Sequence, residues 1–150
     1  MPVLKKSLSN EASWREDIAM LLLPYIRERI HVWSDIAALV AEGEVIYFFD
    51  RPVLSRELLP NKKSSNTEAL THLKHVASIL EESAANDFSA SAVKSMLWDY
   101  AGQKGRGAVL WPLRYALSGR EHSADPFFIS AVLGKEETLA RISAAVQILE

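Results

Sequence analysis

The sequence contains no cysteine. Disulfide bridges, thiolate zinc sites and cysteine nucleophiles are therefore excluded together, and a reducing cytoplasmic location is the natural expectation. The longest apolar runs, Ile18 to Leu23 and Val45 to Phe49, are far too short to span a bilayer. The first thirteen residues carry two lysines but no apolar core behind them, so they are not a signal peptide. We expect a soluble protein that does not contact a membrane.

Catalytic motifs are also missing. No GxSxG elbow and no HExxH pattern occurs, and the glycine-rich piece GQKGRG lacks the spacing of a phosphate-binding P-loop. His72 and His75 lie three residues apart on a predicted helix and could in principle share a metal ion, but a solvated helix face explains them better. We therefore predict no catalytic residue and no metal site, and a small enzyme in its own right has no supporting motif.

The net charge is only −2, yet the charges are distributed unevenly. The window from Gln103 to Ser123 contains four basic residues and one acid, a local charge of +3, which leaves −5 on the rest of the chain. Such a polarised molecule can bind a polyanion on one face. A solvated basic loop would show the same pattern, so charge alone leaves both interpretations open.

What the sequence does have is helical periodicity along almost its whole length. Apolar residues recur at three- and four-residue spacing, and the one strand-like run, Val45 to Phe49, has no partner strand, so we interpret it as a buried extended or helical segment. The prediction is an all-α fold of about eight helices in two packed helical subdomains. We assign a flexible N-terminal segment to residues 1–13, the first subdomain to 14–86 and the second to 87–150.

The helix ends are predicted from caps and from helix-breaking residues. A serine or an asparagine can cap a first turn, proline favours the first helical position, and glycine after the last turn favours a stop. The predicted starts are at Ser13, Ser34, Asn66 or Thr67, Ser89 and Asp125-Pro126, and the predicted breaks are at Pro24, Gly43, Gly102, Gly119 and Gly134.

The last third of the chain has the sequence KGRGAVLWPLRYALSGR followed by EHSADPFFISAVLGKEETLARI. It contains a basic glycine-containing loop, then P-L-R, an apolar pair, an S-G turn, and a helix ending in L-G-K-E. With every element in this order, it resembles the C-terminal anticodon-binding domain of bacterial glutamyl-tRNA synthetases. Tyr25 to Arg29 and the Phe48-Phe49 pair extend the similarity upstream, so that it covers roughly residues 14–150.

The resemblance implies roles for five residues in contacting anticodon bases. Arg114, the arginine of P-L-R, would reach an anticodon base, and Arg29 would face the third base, for which a cytosine offers two acceptors to an arginine. Ser123, Asp125 and Pro126 would lie around the first two bases, although Ala124 departs from the common proline there. The alternatives are a solvated Arg114, an ion pair of Arg29 with Glu28 or Asp35, and a helix cap at Asp125.

Further residues have weaker assignments. Lys104, Arg106 and Arg120 are either RNA backbone contacts or solvated charges, and Trp111 either stacks on a base or belongs to the core. Tyr115, Phe127 and Phe128 are more typical of core residues at helical spacing.

The family's catalytic half, with its HIGH-type and KMSKS-type motifs, has no counterpart in these 150 residues. The resemblance therefore implies a monomer without a cofactor of its own, whose partners are the anticodon loop of the glutamate tRNA and a catalytic half, in cis or in trans, that uses ATP and Mg. Arg29 favours an enzyme restricted to the glutamate tRNA. The alternative is a helical scaffold derived from that domain that binds a protein partner and no longer recognises tRNA.

Overall fold

The computed structural model of the chain describes residues 15–30, 35–60, 64–83 and 87–150, together with residue 5. These residues form six α-helices and two 3-10 turns, without any strand. None of the described helices is both long and apolar enough to cross a membrane. The all-α prediction is confirmed. The helices are α1 (Glu16–Arg29), α2 (Asp35–Ala41), α3 (Asn66–Glu81), α4 (Ala90–Lys104), α5 (Arg106–Ser118) and α6 (Pro126–Leu149), with 3-10 turns at Ile46–Phe48 and Arg56–Leu58.

The described residues contain six helices rather than about eight, and one reason is that α1 is a single element where two helices were predicted. Helix α1 continues through Pro24, which was expected to break or kink it. Helix α6 is kinked at Gly134, whose φ of 85° and ψ of 165° are non-helical, so the predicted break at Gly134 is confirmed and two helical segments meet there. A proline removes one backbone donor but does not by itself end a helix whose apolar face is buried on both sides of it.

The first compact unit comprises residues 1–51 and contains α1, α2 and the 3-10 turn at Ile46–Phe48. The aromatic ring of Phe48 lies edge-on to Tyr25 of α1, with centroids 5.9 Å apart. The Val45 to Phe49 segment is thus helical rather than extended, and its aromatic side chains are buried. The remaining core of this unit is aliphatic: Ile18, Ala19, Leu22, Ile26, Ile36, Val40 and Val45.

The second compact unit comprises residues 52–150 and contains α3 to α6. The long helix α6 packs against α3, α4 and α5, so it forms the centre of this unit. The core consists mainly of aliphatic side chains from all four helices: Leu73, Val76, Leu80, Val93, Leu97, Val109, Leu113, Leu117, Ile129 and Ile142. The division between the units thus falls at Arg51–Pro52 rather than near residue 86, because the helices on either side of residue 86 both pack on α6.

Several helix ends follow the predicted local chemistry. The hydroxyl of Ser89 accepts from Ala92 N at 3.2 Å, and the carboxylate of Asp125 accepts from Phe128 N at 2.8 Å with Pro126 at the first helical position. Gly43 has φ 77° just after α2, and Gly119 has φ 68° just after α5. Glycine is favoured at both positions because other residues rarely adopt a positive φ.

Other ends differ from the prediction. Helix α4 continues through Gly102 to Lys104, and the break lies at Gly105, whose φ is 102°. Helix α5 begins at Arg106, so Gly107 lies in its first turn instead of a loop. The cap of α3 is Ser65, whose hydroxyl accepts from Glu68 N at 3.1 Å. The predicted features at residues 1–13 and the helix start at Ser34 lie outside the described residues.

Candidate nucleic-acid interface

Helix α5 presents Trp111 and Arg114 on one side, because residues three apart are neighbours on a helix. The Cζ atom of Arg114 lies 5.2 Å from the centroid of the Trp111 ring. Its Nη2 donates to the backbone carbonyl of Glu121 at 2.9 Å, which lies in the turn after the helix. Both side chains are half-buried. The arginine predicted to contact a base therefore contacts both an aromatic ring of its own helix and the backbone carbonyl of Glu121.

The turn after α5 depends on Ser118 and Gly119, the [ST]-G pair. Ser118 is buried, and its hydroxyl donates to the carbonyl of Arg114 at 2.9 Å while accepting from Arg120 N at 3.2 Å. Gly119 N donates to Tyr115 O at 2.7 Å, and a Cβ on Gly119 would lie 2.4 Å from the Cβ of Pro52. The pair thus fixes the direction in which the chain leaves the helix.

Ser123, Asp125 and Pro126 occupy the end of this turn. The Ser123 hydroxyl donates to the carbonyl of Ala124 at 2.9 Å. Asp125 is exposed and one of its carboxylate oxygens caps α6, whereas Pro126 and Ala124 are buried. The structure therefore places these residues next to the turn that Arg114 contacts, and it gives Asp125 the capping role considered as its alternative.

The aromatic residues of α5 also bind the segment that precedes α3. Trp111 Nε1 donates to the carbonyl of Leu58 at 2.9 Å, and the hydroxyl of Tyr115 accepts from Ser55 N at 2.9 Å. Tyr115 is buried, as predicted for a core residue, whereas part of Trp111 stays accessible. Of the Phe127-Phe128 pair, Phe127 is buried and Phe128 is half-buried.

The basic residues of the positive window have different surroundings. Lys104 and Arg106 are exposed, and Arg120 is half-buried. The Cζ atom of Arg106 lies 4.3 Å from the ring centroid of Trp98, and Lys94 Nζ lies 4.8 Å from the same centroid.

Arg29 belongs to the first unit, at the last position of α1. Its Cζ lies 3.6 Å from the Tyr25 ring centroid and its Nη1 donates to Tyr25 O at 3.2 Å. Glu28 is 3.7 Å away, at the long end of ion-pair distances. The helix ion pair considered as an alternative is therefore present, but in an exposed setting where such a pair contributes only about 0–1 kcal/mol.

Two basic residues that the sequence did not single out bind other parts of the fold. Lys135, in the LGKE motif, donates its ammonium to the carbonyls of Glu81 and Ser83 at the C-terminus of α3, where a cation suits the helix dipole. Arg141 is only 3% exposed, pairs with Glu137 at 2.9 Å and donates to Leu117 O at 2.7 Å. The i, i+4 spacing of Glu137 and Arg141 is the only sequence signal for the second.

The two histidines that could have shared a metal both contact one tyrosine instead. His72 Nδ1 lies 2.8 Å from the hydroxyl of Tyr100, and the His75 ring stacks on Tyr100 with centroids 4.1 Å apart. Burial lowers the pKa of His72 and raises the pKa of Tyr100. Within the described part of the chain, no group of three or more acidic or histidine side chains could hold a metal ion.

The described helices form an all-α domain, and comparison with known families assigns it to the anticodon-binding class. The family model described as an anticodon binding domain matches residues 2–146, and the chain belongs to that family. Its relatives are glutamate–tRNA ligases: the enzyme of Azorhizobium caulinodans is 31% identical over 144 residues, and glutamate–tRNA ligase 2 of Brucella ovis is 33% identical over 127 residues. These alignments cover 95% and 82% of the chain but only 29% and 25% of those relatives.

A solved structure gives the same result. A glutamate–tRNA ligase from Elizabethkingia meningosepticum, crystallised with its amino acid, superposes with a TM-score of 0.75 at 27% identity. The match covers 99% of this chain and 28% of that one. The chain is thus the counterpart of the anticodon-binding part of glutamate–tRNA ligases and spans little more than a quarter of their length.

Proposed function

We propose that the chain recognises the anticodon loop of the glutamate tRNA, with α5 and the turn that follows it as the main contact surface. The observation that carries the proposal is the position of Arg114, which contacts both the Trp111 ring and the Glu121 carbonyl. Family membership supports tRNA as the ligand class. It lends no support to the alternative of a protein-binding scaffold.

The geometry of Arg114 suits recognition of a base. A guanidinium has five N–H donors, and the contact with Glu121 uses Nη2, so the other nitrogens can donate to the acceptors on a base edge. The contact also limits the rotation of the side chain, which lowers the entropic cost of placing its planar fork. An unpaired base can then stack on the accessible parts of the guanidinium and the Trp111 ring.

The remaining contacts follow from the same placement. Ser123, Asp125 and Pro126 lie along the turn and offer backbone groups, a hydroxyl and a carboxylate to the first two bases. Arg29 contacts the third base with donors that its contact with Tyr25 leaves available, and this favours a cytosine at that position. Lys104, Arg106 and Arg120 contact phosphates.

The chain would perform this role as a monomer in the cytoplasm, for a catalytic part that is joined to it or binds it. The ATP and Mg of the ligase reaction would be bound by that part, since the proposal gives this chain only RNA contacts. Glutamate attachment to tRNA is then the activity of the assembled enzyme.

Arg114→Ala tests the proposal in a fluorescence titration with a glutamate anticodon stem-loop and with stem-loops in which one anticodon base is changed. We expect a loss of about 1–3 kcal/mol for the cognate loop and a much smaller loss for one of the changed loops, because a base contact is specific to its base. Arg114→Lys is the matched control, since it retains the charge and removes the planar fork.

A base contact predicts that lysine fails to restore discrimination, whereas a phosphate contact predicts a uniform loss that lysine largely restores. The proposal is wrong if the unaltered chain binds the cognate and all changed loops with equal affinity. Arg29→Gln, tested with loops that differ only at the third base, checks the second arginine in the same way.

A further inference from the structure

Two cations converge on one indole ring in the second unit. Lys94 and Trp98 lie four residues apart on α4, and Arg106 is the first residue of α5. Lys94 Nζ and Arg106 Cζ lie 4.8 Å and 4.3 Å from the Trp98 ring centroid, and both cationic side chains are exposed. The ring face attracts both cations and so brings two like charges together.

Neither charge is neutralised by a carboxylate of the part of the chain that the structure describes. Among the described residues, Lys94 and Arg106 form no ion pair. Arg106 also lies at the positive end of the α5 dipole, where an acid is favoured and a cation is not, and the first turn of α5 contains no acid. A bound anion would reduce the repulsion between Lys94 and Arg106, and it would also offset the unfavourable position of Arg106 at the start of α5.

The arrangement is continuous with the proposed RNA-binding turn. Trp98 contacts Phe127 edge-on, with centroids 6.5 Å apart, and Phe127 directly follows Pro126 at the start of α6. The ring that holds the two cations therefore packs against the residue that follows the predicted base-contacting loop. An RNA that places its bases along that loop has its phosphates within the same neighbourhood.

We infer that Lys94, Trp98 and Arg106 form a binding site for the phosphodiester backbone of the tRNA, adjacent to the base-contacting surface. The inference rests on the proposed function, since it takes the ligand to be the same RNA. Lys94 and Arg106 bind the phosphates directly, and Trp98 acts as a positioning residue that holds both cations. The site contributes affinity without discriminating between anticodons, because phosphates carry no sequence information.

The test measures the affinity of the full chain for the cognate stem-loop and for an anticodon-changed stem-loop between 50 mM and 300 mM salt. For Lys94→Gln and Arg106→Gln we expect the slope of log K against log salt to become shallower by about 0.7–0.9 per substitution, which is roughly a five- to eightfold loss of affinity at 0.1 M salt. The loss should be equal for both RNAs. Lys74→Gln is the matched control, because Lys74 is an exposed lysine of the same unit that already pairs with Glu150 at 3.0 Å.

Trp98 is tested by rescue. Trp98→Leu should lose several-fold in affinity and Trp98→Phe should retain most of it, since phenylalanine keeps an aromatic face for the cations. Thermal unfolding of both variants separates this effect from the loss of the Phe127 contact.

Unchanged salt slopes for both cation variants, with Arg114→Ala still impairing cognate binding, would overturn this inference and leave the proposed function standing. A loss confined to one anticodon would also contradict it. No measurable binding of any stem-loop by the unaltered chain at 50 mM salt would overturn both.

Discussion

The guanidinium of Arg114 donates from Nη2 to the backbone carbonyl of Glu121 at 2.9 Å, and thereby joins the last turns of α5 to the loop that follows. The residue proposed to contact the anticodon thus also fixes the shape of the loop proposed to surround it. A substitution of Arg114 can therefore have two distinct effects, one on the order of the loop and one on the recognition of a base.

Arg114→Ala should therefore loosen the loop in the absence of RNA. We expect faster amide hydrogen exchange at residues 120–124, while the protection of α5 around Leu113 and Leu117, which are fully buried, stays unchanged. The free energy of unfolding should fall by about 1 kcal/mol, the usual net contribution of one such hydrogen bond. Unchanged exchange across residues 120–124 would show that the contact does not order the loop.

The Gly119 turn leads to a second prediction. Gly119→Ala should destabilise the protein by more than about 1–2 kcal/mol, because alanine must adopt a left-handed conformation and its Cβ would lie 2.4 Å from Pro52 Cβ. Gly102→Ala is the control: Gly102 lies within α4 with nothing within 4 Å of its added Cβ, so stability should rise by up to about 1 kcal/mol. Urea unfolding of both variants measures the difference, and similar effects would contradict the prediction.

The comparison of these two glycines shows what the sequence could predict and why. Gly119 was identified as a stop because a glycine after an apolar helix, preceded by a serine, is a local signal. Gly102 has the same local features, yet α4 continues to Lys104 and the break falls at Gly105, whose φ is 102°. Local chemistry thus determined the caps at Ser89 and Asp125, whereas it did not distinguish between two glycines three residues apart.

The sequence also predicted only part of the candidate site. The PLR motif identifies Arg114, but its contact with Glu121 depends on the turn after α5, and the contact of Trp111 with Leu58, 53 residues earlier, depends on tertiary packing. Trp98 with its two cations was missed because Lys94 and Arg106 lie on different helices. Sequence periodicity assigns residues to faces of a helix, and it does not show which faces meet.

Arg141 supports a prediction on stability. Arg141→Leu should cost about 3 kcal/mol, because it removes a guanidinium, only 3% exposed, that pairs with Glu137 and donates to the carbonyl of Leu117. Arg15→Leu is the matched control, since the Arg15–Asp17 pair is as short, 2.7 Å, but its side chains are 55% and 64% exposed. That exposed pair should contribute no more than about 1 kcal/mol. Equal losses of unfolding free energy in the two variants would show that burial does not decide the strength of these pairs.

The His72–Tyr100 contact makes stability depend on pH. Burial is the main cause of the lowered pKa of His72, Lys104 and His75 lower it further, and Glu68 opposes them. Because the folded pKa of His72 lies below 6.5, the ordinary value for histidine, the unfolded chain binds more protons at pH values between the two, so the free energy of unfolding decreases as the pH falls through that window. The contribution of neutral His72 is fully present above pH 6.5 and is lost as the pH falls through the folded pKa.

Urea unfolding at several pH values tests this dependence. The free energy of unfolding should decrease less on acidification in His72→Gln than in the unaltered chain. Tyr100→Phe removes the hydroxyl and keeps the aromatic ring that helps to cover His72, so an NMR titration of this variant should still give a His72 midpoint below 6.5. A midpoint at or above 6.5 in the unaltered chain would show that the negative charge of Glu68 outweighs burial.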